Sequence, residues 1–321
     1  MNTNNALSVA IAMSISSSAI LFGVASAKAA EVGKGMYLLG SKNSMAGVVP
    51  PAGFYFTSET YFYSGKAAPS LEIPDAGRIV AGVQADVILE VPIGLWVAPQ
   101  PVAGGNLGFG VLTPFGHADV SAAAEVTVPG LPPVPSAIGD NSFTFGDPVL
   151  LATLGWSHEQ WFWSVYSLLN VPIGDYKKGR LSNISFNRWA LDLGVAATWF
   201  DASSGYELSS TAGFTFNGEN DATDYKTGTE FHIEFAALKH ISSAFSFGLA
   251  GYHYQQISDD SGTGASLGGF RGRTTALGGV LSLNSTLGGT PVNIKGRVYQ
   301  ELESKNRLKA TTGFVTLAFP L

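Results

Sequence analysis

The chain contains no cysteine among its 321 residues. Disulfide frameworks and thiolate metal sites are thereby excluded. Charge is scarce as well. Asp, Glu, Lys and Arg make up 13% of the residues, about half the share usual in a soluble domain. The balance is acidic, −6 at neutral pH, which argues against nucleic acid as a partner. Beyond the N-terminal stretch there is no run of about 18 apolar residues, so membrane-crossing helices are not expected. No internal period of about 40–50 residues is visible, which leaves a propeller without support. What the chain does have is glycine, 39 residues, and an aromatic share of 12%. Low charge, many glycines and aromatics, and no helical span together suit a transmembrane β-barrel.

Both ends of the chain agree with that reading. From about Ala6 to Ala25 an apolar stretch is diluted by serines, and Ala27-Lys28-Ala29 supplies small residues where a signal peptidase cuts. Residues 1–29 are expected to be a signal peptide, although Met1 to Asn5 lack the usual Lys or Arg. The competing reading, an anchor helix, is disfavoured by the serines and by the cleavage site that follows at once. At the other end, Val315, Leu317, Phe319 and Leu321 alternate with Phe314, Thr316 and Ala318. A final strand with one oily face is what a barrel needs where its last strand closes on its first and meets lipid.

Period-two alternation runs through the body of the chain. Trp189, Leu191, Leu193, Val195, Ala197 and Trp199 share one face, opposed by Arg188, Asp192 and small residues. Phe231, Ile233 and Phe235 oppose Glu230, His232 and Glu234, and the segment 79–91 sets Val83, Val87 and Leu89 against Gln84, Asp86 and Glu90. In a membrane the oily face looks outward, so the charges are expected to line the interior. Trp189 and Trp199, one near each end of their strand, are expected at the two lipid interfaces. The fold class expected is therefore all-β, a transmembrane antiparallel up-and-down barrel. The pattern predicts about 12 strands: 53–66, 77–97, 105–128, 146–156, 159–173, 188–201, 205–217, 227–239, 244–257, 269–285, 290–303 and 308–321. Odd-numbered connections are mostly long and polar, among them the proline-rich 129–145; even-numbered ones are mostly short, as outer-membrane barrels require. A secreted β-sandwich is the rival, but it would need polar outward faces on most strands. Residues 30–52 precede the barrel, carry Met36, Tyr37, Leu38 and Leu39, and are read as a short plug folded into the lumen. The barrel itself is expected over 53–321.

The order of motifs resembles the family named for the meta-pathway of phenol degradation, a group of proteobacterial outer-membrane barrels. The match runs from Ala46-Gly-Val-Val-Pro-Pro-Ala-Gly-Phe-Tyr-Phe56 through Gly146-Asp-Pro148 and Val171-Pro-Ile-Gly-Asp-Tyr176 to Asn187-Arg-Trp189. It continues with Phe216-Asn-Gly-Glu-Asn-Asp-Ala-Thr-Asp-Tyr225, Gly251-Tyr-His-Tyr-Gln-Gln256 and the Phe319-Pro-Leu321 ending. Ile173, where the family pattern favours Thr, and Ala52, where a third Pro is common, are small departures. The resemblance implies a barrel that passes aromatic or other small hydrophobic compounds linked to their catabolism. It does not identify a compound.

Glu59, Asp86, Glu90, Arg188, Asp192, Glu230, His232, Glu234, Lys295 and Arg297 are the expected charged residues of the lumen and permeant path. Tyr55, Tyr61, Tyr63, Tyr252 and Tyr254 are the expected aromatic ones, offering flat permeants a surface to stack on. Glu230, His232 and Glu234 form the one dense titratable cluster, read as a lumenal polar network rather than a metal or catalytic site. No nucleophile motif occurs, so no catalytic residue, metal or cofactor is expected. The expected partners are outer-membrane lipid and lipopolysaccharide, the barrel-assembly machinery through the last strand, and a small hydrophobic or aromatic permeant. A monomer in the outer membrane of a Gram-negative bacterium is the expected form. The competing functions are a non-transporting surface barrel, acting as adhesin or structural element, and, less favoured, an outer-membrane hydrolase.

Overall fold

The computed structural model of the protein describes residues 35–67, 73–75, 78–126, 134–265, 269 and 271–321. The expected signal peptide, residues 30–34 and the start of the proline-rich connection (127–133) lie outside the described residues. The alternating segments form twelve barrel strands. They are β1 (Gly53–Lys66), β2 (Arg78–Val97), β3 in two pieces (Asn106–Leu112 and Phe115–Val126), β4 in two pieces (Val134–Phe145 and Val149–His158), β5 (Trp161–Asn170) and β6 (Ala190–Asp201). The ring continues with β7 (Tyr206–Asn217), β8 (Glu230–His240), β9 (Phe245–Gln256), β10 (Arg273–Leu287), β11 (Thr290–Lys305) and β12 (Lys309–Pro320).

Each strand pairs antiparallel with the next, and β1 pairs with β12 from Tyr55 opposite Pro320 to Lys66 opposite Lys309. The sheet is thus closed through β1 and β12 and leaves no free edge at that seam. The connections 159–160, 202–205, 241–244 and 288–289 are short, and 171–189, 218–229 and 257–272 are long. The rule for such barrels puts the short set at the periplasmic end and the long set outside. Outward-facing Phe54, Trp96 and Phe109 cluster near the periplasmic end, with Trp96 stacked on Phe109 and Trp156 on Trp163. Those rings form the aromatic girdle that sits at a lipid interface.

The structure departs from the sequence expectation in β4. Residues 134–145, expected as part of a loop, pair with β3 from Val134 opposite Val126 to Phe145 opposite Phe115. Prolines at 129, 132, 133 and 135 made this stretch read as irregular. A strand that pairs on one side only tolerates proline, because its other edge need not donate. Upper β4 is such a strand, since β5 ends at Asn170. The kinks at 113–114 and 146–148 lie side by side, where Gly146 N donates to Pro114 O. The free edge is covered by the connection 171–189. Asp175 N donates to Phe145 O at 2.9 Å, and Leu181 N and Ser182 N donate to Asp140.

Asp147, in the second kink, fixes that cover. It is buried and accepts hydrogen bonds from Asn170 Nδ2, Gly174 N, Ser185 Oγ, Phe186 N and Asn187 N at 2.6–3.2 Å. One carboxylate therefore supplies an acceptor to four donors of a segment that has no ladder of its own, and to Asn170 at the end of β5.

Candidate functional site

The inner wall of the barrel is divided in two by chemistry. Strands β6 to β12, with β1, carry the ionisable groups. Asp192, Glu207, Glu230, His232, Glu234, Arg297 and Glu59 are all buried. Among the described side chains, strands β2, β3 and lower β4 carry none on their inner faces. Leu89, Ile93 and Leu95 on β2, Leu112 on β3 and Leu151 on β4 face inward and are half-buried. The lumen thus has a polar half and an oily half.

The polar half is occupied by residues 35–51, which have no regular structure of their own. Their backbone groups must find partners within the barrel, and the lumenal side chains provide them. Glu234 accepts from Gly40 N at 2.8 Å and Lys42 N at 3.1 Å. Glu207 accepts from Met45 N at 2.7 Å, and Thr198 Oγ1 accepts from Gly47 N at 3.0 Å. In the other sense, Arg297 donates to the carbonyls of Gly40 and Ser41, Thr211 Oγ1 to that of Lys42, and Lys295 Nζ to that of Ser44. Asn106 Nδ2 donates to Val49 O and Pro50 O near the periplasmic start of β3. The segment climbs from there until Gly35 meets Glu230 at the outer start of β8.

Side chains add packing to these bonds. Leu38 and Leu39 pack on a cluster that includes Tyr252, Tyr299 and Phe314, and the Tyr37 ring stacks on His232 at 3.6 Å. Gly47 lies so close to the wall that a Cβ would stand 2.4 Å from Phe162 O and 2.8 Å from Thr198 N. Only glycine fits that approach.

Several of the residues expected in the lumen are buried and bonded to one another. Glu59 and Arg297 form an ion pair that also includes Thr316. Asp192 bonds His232 Nε2 at 2.9 Å and accepts from Thr215 at 2.6 Å. Arg188 is buried and donates to Asn217, which in turn donates to Glu230. Tyr254 OH donates to Glu230 and Tyr252 OH to Glu301. Tyr61 packs beside Phe314, whereas Tyr55 sits at the periplasmic end and donates to Pro51 O. Trp189 is exposed, and Trp199, also on the outer face, donates to Gln160.

Asp86 and Glu90 are corrections. Glu90 lies opposite Thr60 and Asp86 opposite Ser64, on the face that carries Phe62 and Ile88, both exposed. Both acids therefore point outward, and the oily alternate residues of β2 point into the lumen. For Asp86, in the outer half of the strand, the reason is length. β2 has 20 residues, about twice what crosses a bilayer, so its outer half stands above the lipid and the charge-inside rule lapses there. Glu90, nearer mid-strand, has its carboxylate bonded by Ser58 Oγ and Thr60 Oγ1. Glu207, Asp147 and the N-terminal backbone were not singled out by the alternation.

The loop acids serve the loops. Asp260 accepts from Gly228 N, Gln256 Nε2 and Tyr225 OH. Asp224, hydrogen-bonded to Glu219, pushes the Glu219 pKa upward. Among the described residues no group of three or more His, Asp or Glu is arranged to hold a metal ion.

Replacing Arg297 by methionine is expected to strip two carbonyls of the N-terminal segment and leave Glu59 buried without its cation. Loss of one partner of a buried pair costs about 3–5 kcal/mol. A fall in the urea midpoint in detergent micelles, partly restored by adding Glu59→Gln, is the expected result. An unchanged midpoint would show that water takes over the guanidinium's bonds.

A family model described as "Putative MetA-pathway of phenol degradation" matches residues 70–317. No curated protein matches the chain. Among solved structures, an outer membrane channel from Pseudomonas putida F1 is similar, with 15% identity over 89% of this chain and 100% of that one and a TM-score of 0.66. A FadL homologue from Pseudomonas aeruginosa is 8% identical over 83% of this chain and 89% of that one, with a TM-score of 0.40. The first likeness shows a shared fold. A closed antiparallel barrel with an oily outer belt belongs in the outer membrane of a Gram-negative bacterium.

Proposed function

The chain belongs to this family of the meta-pathway of phenol degradation, and from that membership we propose that it is an outer-membrane channel for small hydrophobic, including aromatic, compounds. The observation that carries the reading is the oily inner wall of β2, β3 and lower β4. Its leucines and isoleucine keep free surface toward the lumen. A wall of this kind offers an apolar solute a path with little loss of hydrophobic contact, whereas it offers ions nothing. The similar fold of the Pseudomonas putida channel supports the reading.

Residues 35–51 act as a plug in this proposal. They use up the hydrogen-bonding capacity of the polar half and leave the passage to the oily half. Glu234, Glu207, Arg297 and Lys295 then hold the plug rather than the permeant. The permeant meets Leu89, Ile93 and Leu151 instead, since Leu112 packs against Met36 of the segment.

The test is uptake of radiolabelled toluene by cells carrying the wild type or the Ile93→Asp variant. A carboxylate in the oily wall should slow uptake about tenfold, the equivalent of about 1.4 kcal/mol against an apolar solute. Equal uptake by both would remove the oily path. Equal uptake by cells with and without the protein would favour a surface barrel that acts through its loops.

A further inference from the structure

The turn between β11 and β12, residues 306–308, is folded into the mouth of the barrel. Asn306 adopts φ 53° and Ser304 Oγ donates to the carbonyls of Arg307 and Leu308. Leu308 packs with Tyr63, Ala85, Val120 and Leu181 at the outer end of the oily wall. The Arg307 guanidinium lies 4.2 Å from the centre of the Tyr254 ring. Its Nη1 is buried and makes no hydrogen bond.

That is an unusual state for arginine, whose planar group carries five donors. Tyr254 takes a side-chain hydrogen bond from the guanidinium, and Glu230 and Glu301 stand near it, but neither acid closes on Nη1. Glu230 already accepts from Tyr254 OH and Asn217 Nδ2, and Glu301 from Tyr252 OH and Ala310 N. Among the described residues Arg307 takes part in no ion pair within 4.0 Å. A buried charged donor left idle costs more than a neutral one, so the arrangement is complete only when an acceptor arrives.

We propose that Arg307 is the recognition residue of a binding site at the outer mouth for hydrophobic carboxylates, aromatic acids above all. The carboxylate accepts from the guanidinium, which suits paired oxygens. The apolar body lies against Tyr63 and Leu308, at the head of the oily wall. This deepens the channel reading above and rests on it for the path beyond the mouth. The site extends the permeants from neutral compounds to amphipathic anions.

Two measurements on the full-length protein separate the site from the path. Calorimetric titration of benzoate into the detergent-solubilised protein reads the site. Flux of benzoate and of neutral benzyl alcohol into proteoliposomes reads the path. The wild type should bind benzoate. Arg307→Gln should weaken that binding about tenfold, in keeping with the loss of one charge-assisted hydrogen bond, and Arg307→Lys should lose less. Benzoate flux should fall in Arg307→Gln while benzyl alcohol flux stays at the wild-type level. Absence of benzoate binding to the wild type overturns the proposal, as does equal binding by wild type and Arg307→Gln. Arginine-dependent binding without flux of either compound upholds the site and removes the channel reading instead. Retention of the heat-modifiable, folded band on electrophoresis is required of each variant, and Arg307→Lys serves if Arg307→Gln lacks it.

Discussion

Asp147→Ala is expected to release the connection 171–189 from the barrel wall. The wild-type carboxylate is the acceptor for five donors that span Asn170 to Asn187. Left dry and unpaired, each donor would cost about 1–3 kcal/mol. The connection avoids the full sum by swinging out to water. The net loss is then about 2–4 kcal/mol, or about 30- to 1000-fold in the population of the open form. Upper β4 would be left with a bare edge once Asp175 N no longer reaches Phe145 O. Trypsin supplies the readout, because Lys177, Lys178 and Arg180 lie in the connection. Cleavage there should accelerate by one to three orders of magnitude, with Asp147→Asn between the two. Cleavage of Asp147→Ala at the wild-type rate would show that the bonds from Asp175 to Phe145, from Leu181 and Ser182 to Asp140, and between Ser142 and Ser182 suffice to hold the cover.

Deleting residues 35–50 is expected to raise single-channel conductance severalfold in planar bilayers. The segment is bonded to Glu234, Glu207, Lys295 and Arg297, and its removal hands them to water. A charged, solvated lumen conducts ions; an oily one does not. The loss of stability should be small beside the gain in conductance, because water can replace most of the bonds now made to the segment. Gly47→Val is the milder form of the same experiment. Its side chain cannot coexist with Phe162 O at the present distance, so the segment must lift locally. Unchanged conductance after the deletion would mean that the external connections, rather than the N-terminal segment, set the resistance of the channel.

The strands were legible because lipid on one side and solvent on the other impose a strict alternation. The run from Leu191 to Trp199 falls on β6 with its oily residues outward, while Trp189 stands just before the strand. The alternation of β2 was equally clear, yet it assigned the faces in the reverse sense. Alternation gives two faces without saying which is inside. The charge-inside rule fails where the strand extends above the lipid, as at Asp86, or where neighbouring hydroxyls satisfy the acid, as Ser58 and Thr60 do for Glu90. Upper β4 was obscured by proline, which signals a break in a strand paired on both sides and is harmless on a free edge. Asp147 was visible only through the Gly146-Asp-Pro148 match to the family. Its work is to accept from backbone groups far away in sequence, and no local pattern announces that. Arg307 stands in a three-residue turn, too short for any periodicity. The N-terminal segment showed its apolar residues but not its binding mode, which is carried largely by main-chain groups that every residue shares.

The position of that segment bears on the order of events during assembly. Residues 35–51 lead directly into β1, and β1 meets β12 at the seam that completes the ring. While the sheet is still open, the segment can be laid sideways across β7, β8 and β11. Once the seam has zipped, the same stretch would have to be drawn lengthwise through a finished ring, against side chains that interlock with it. The hydrogen bonds that residues 35–51 make to β7, β8 and β11 are therefore easiest to form before the seam is complete.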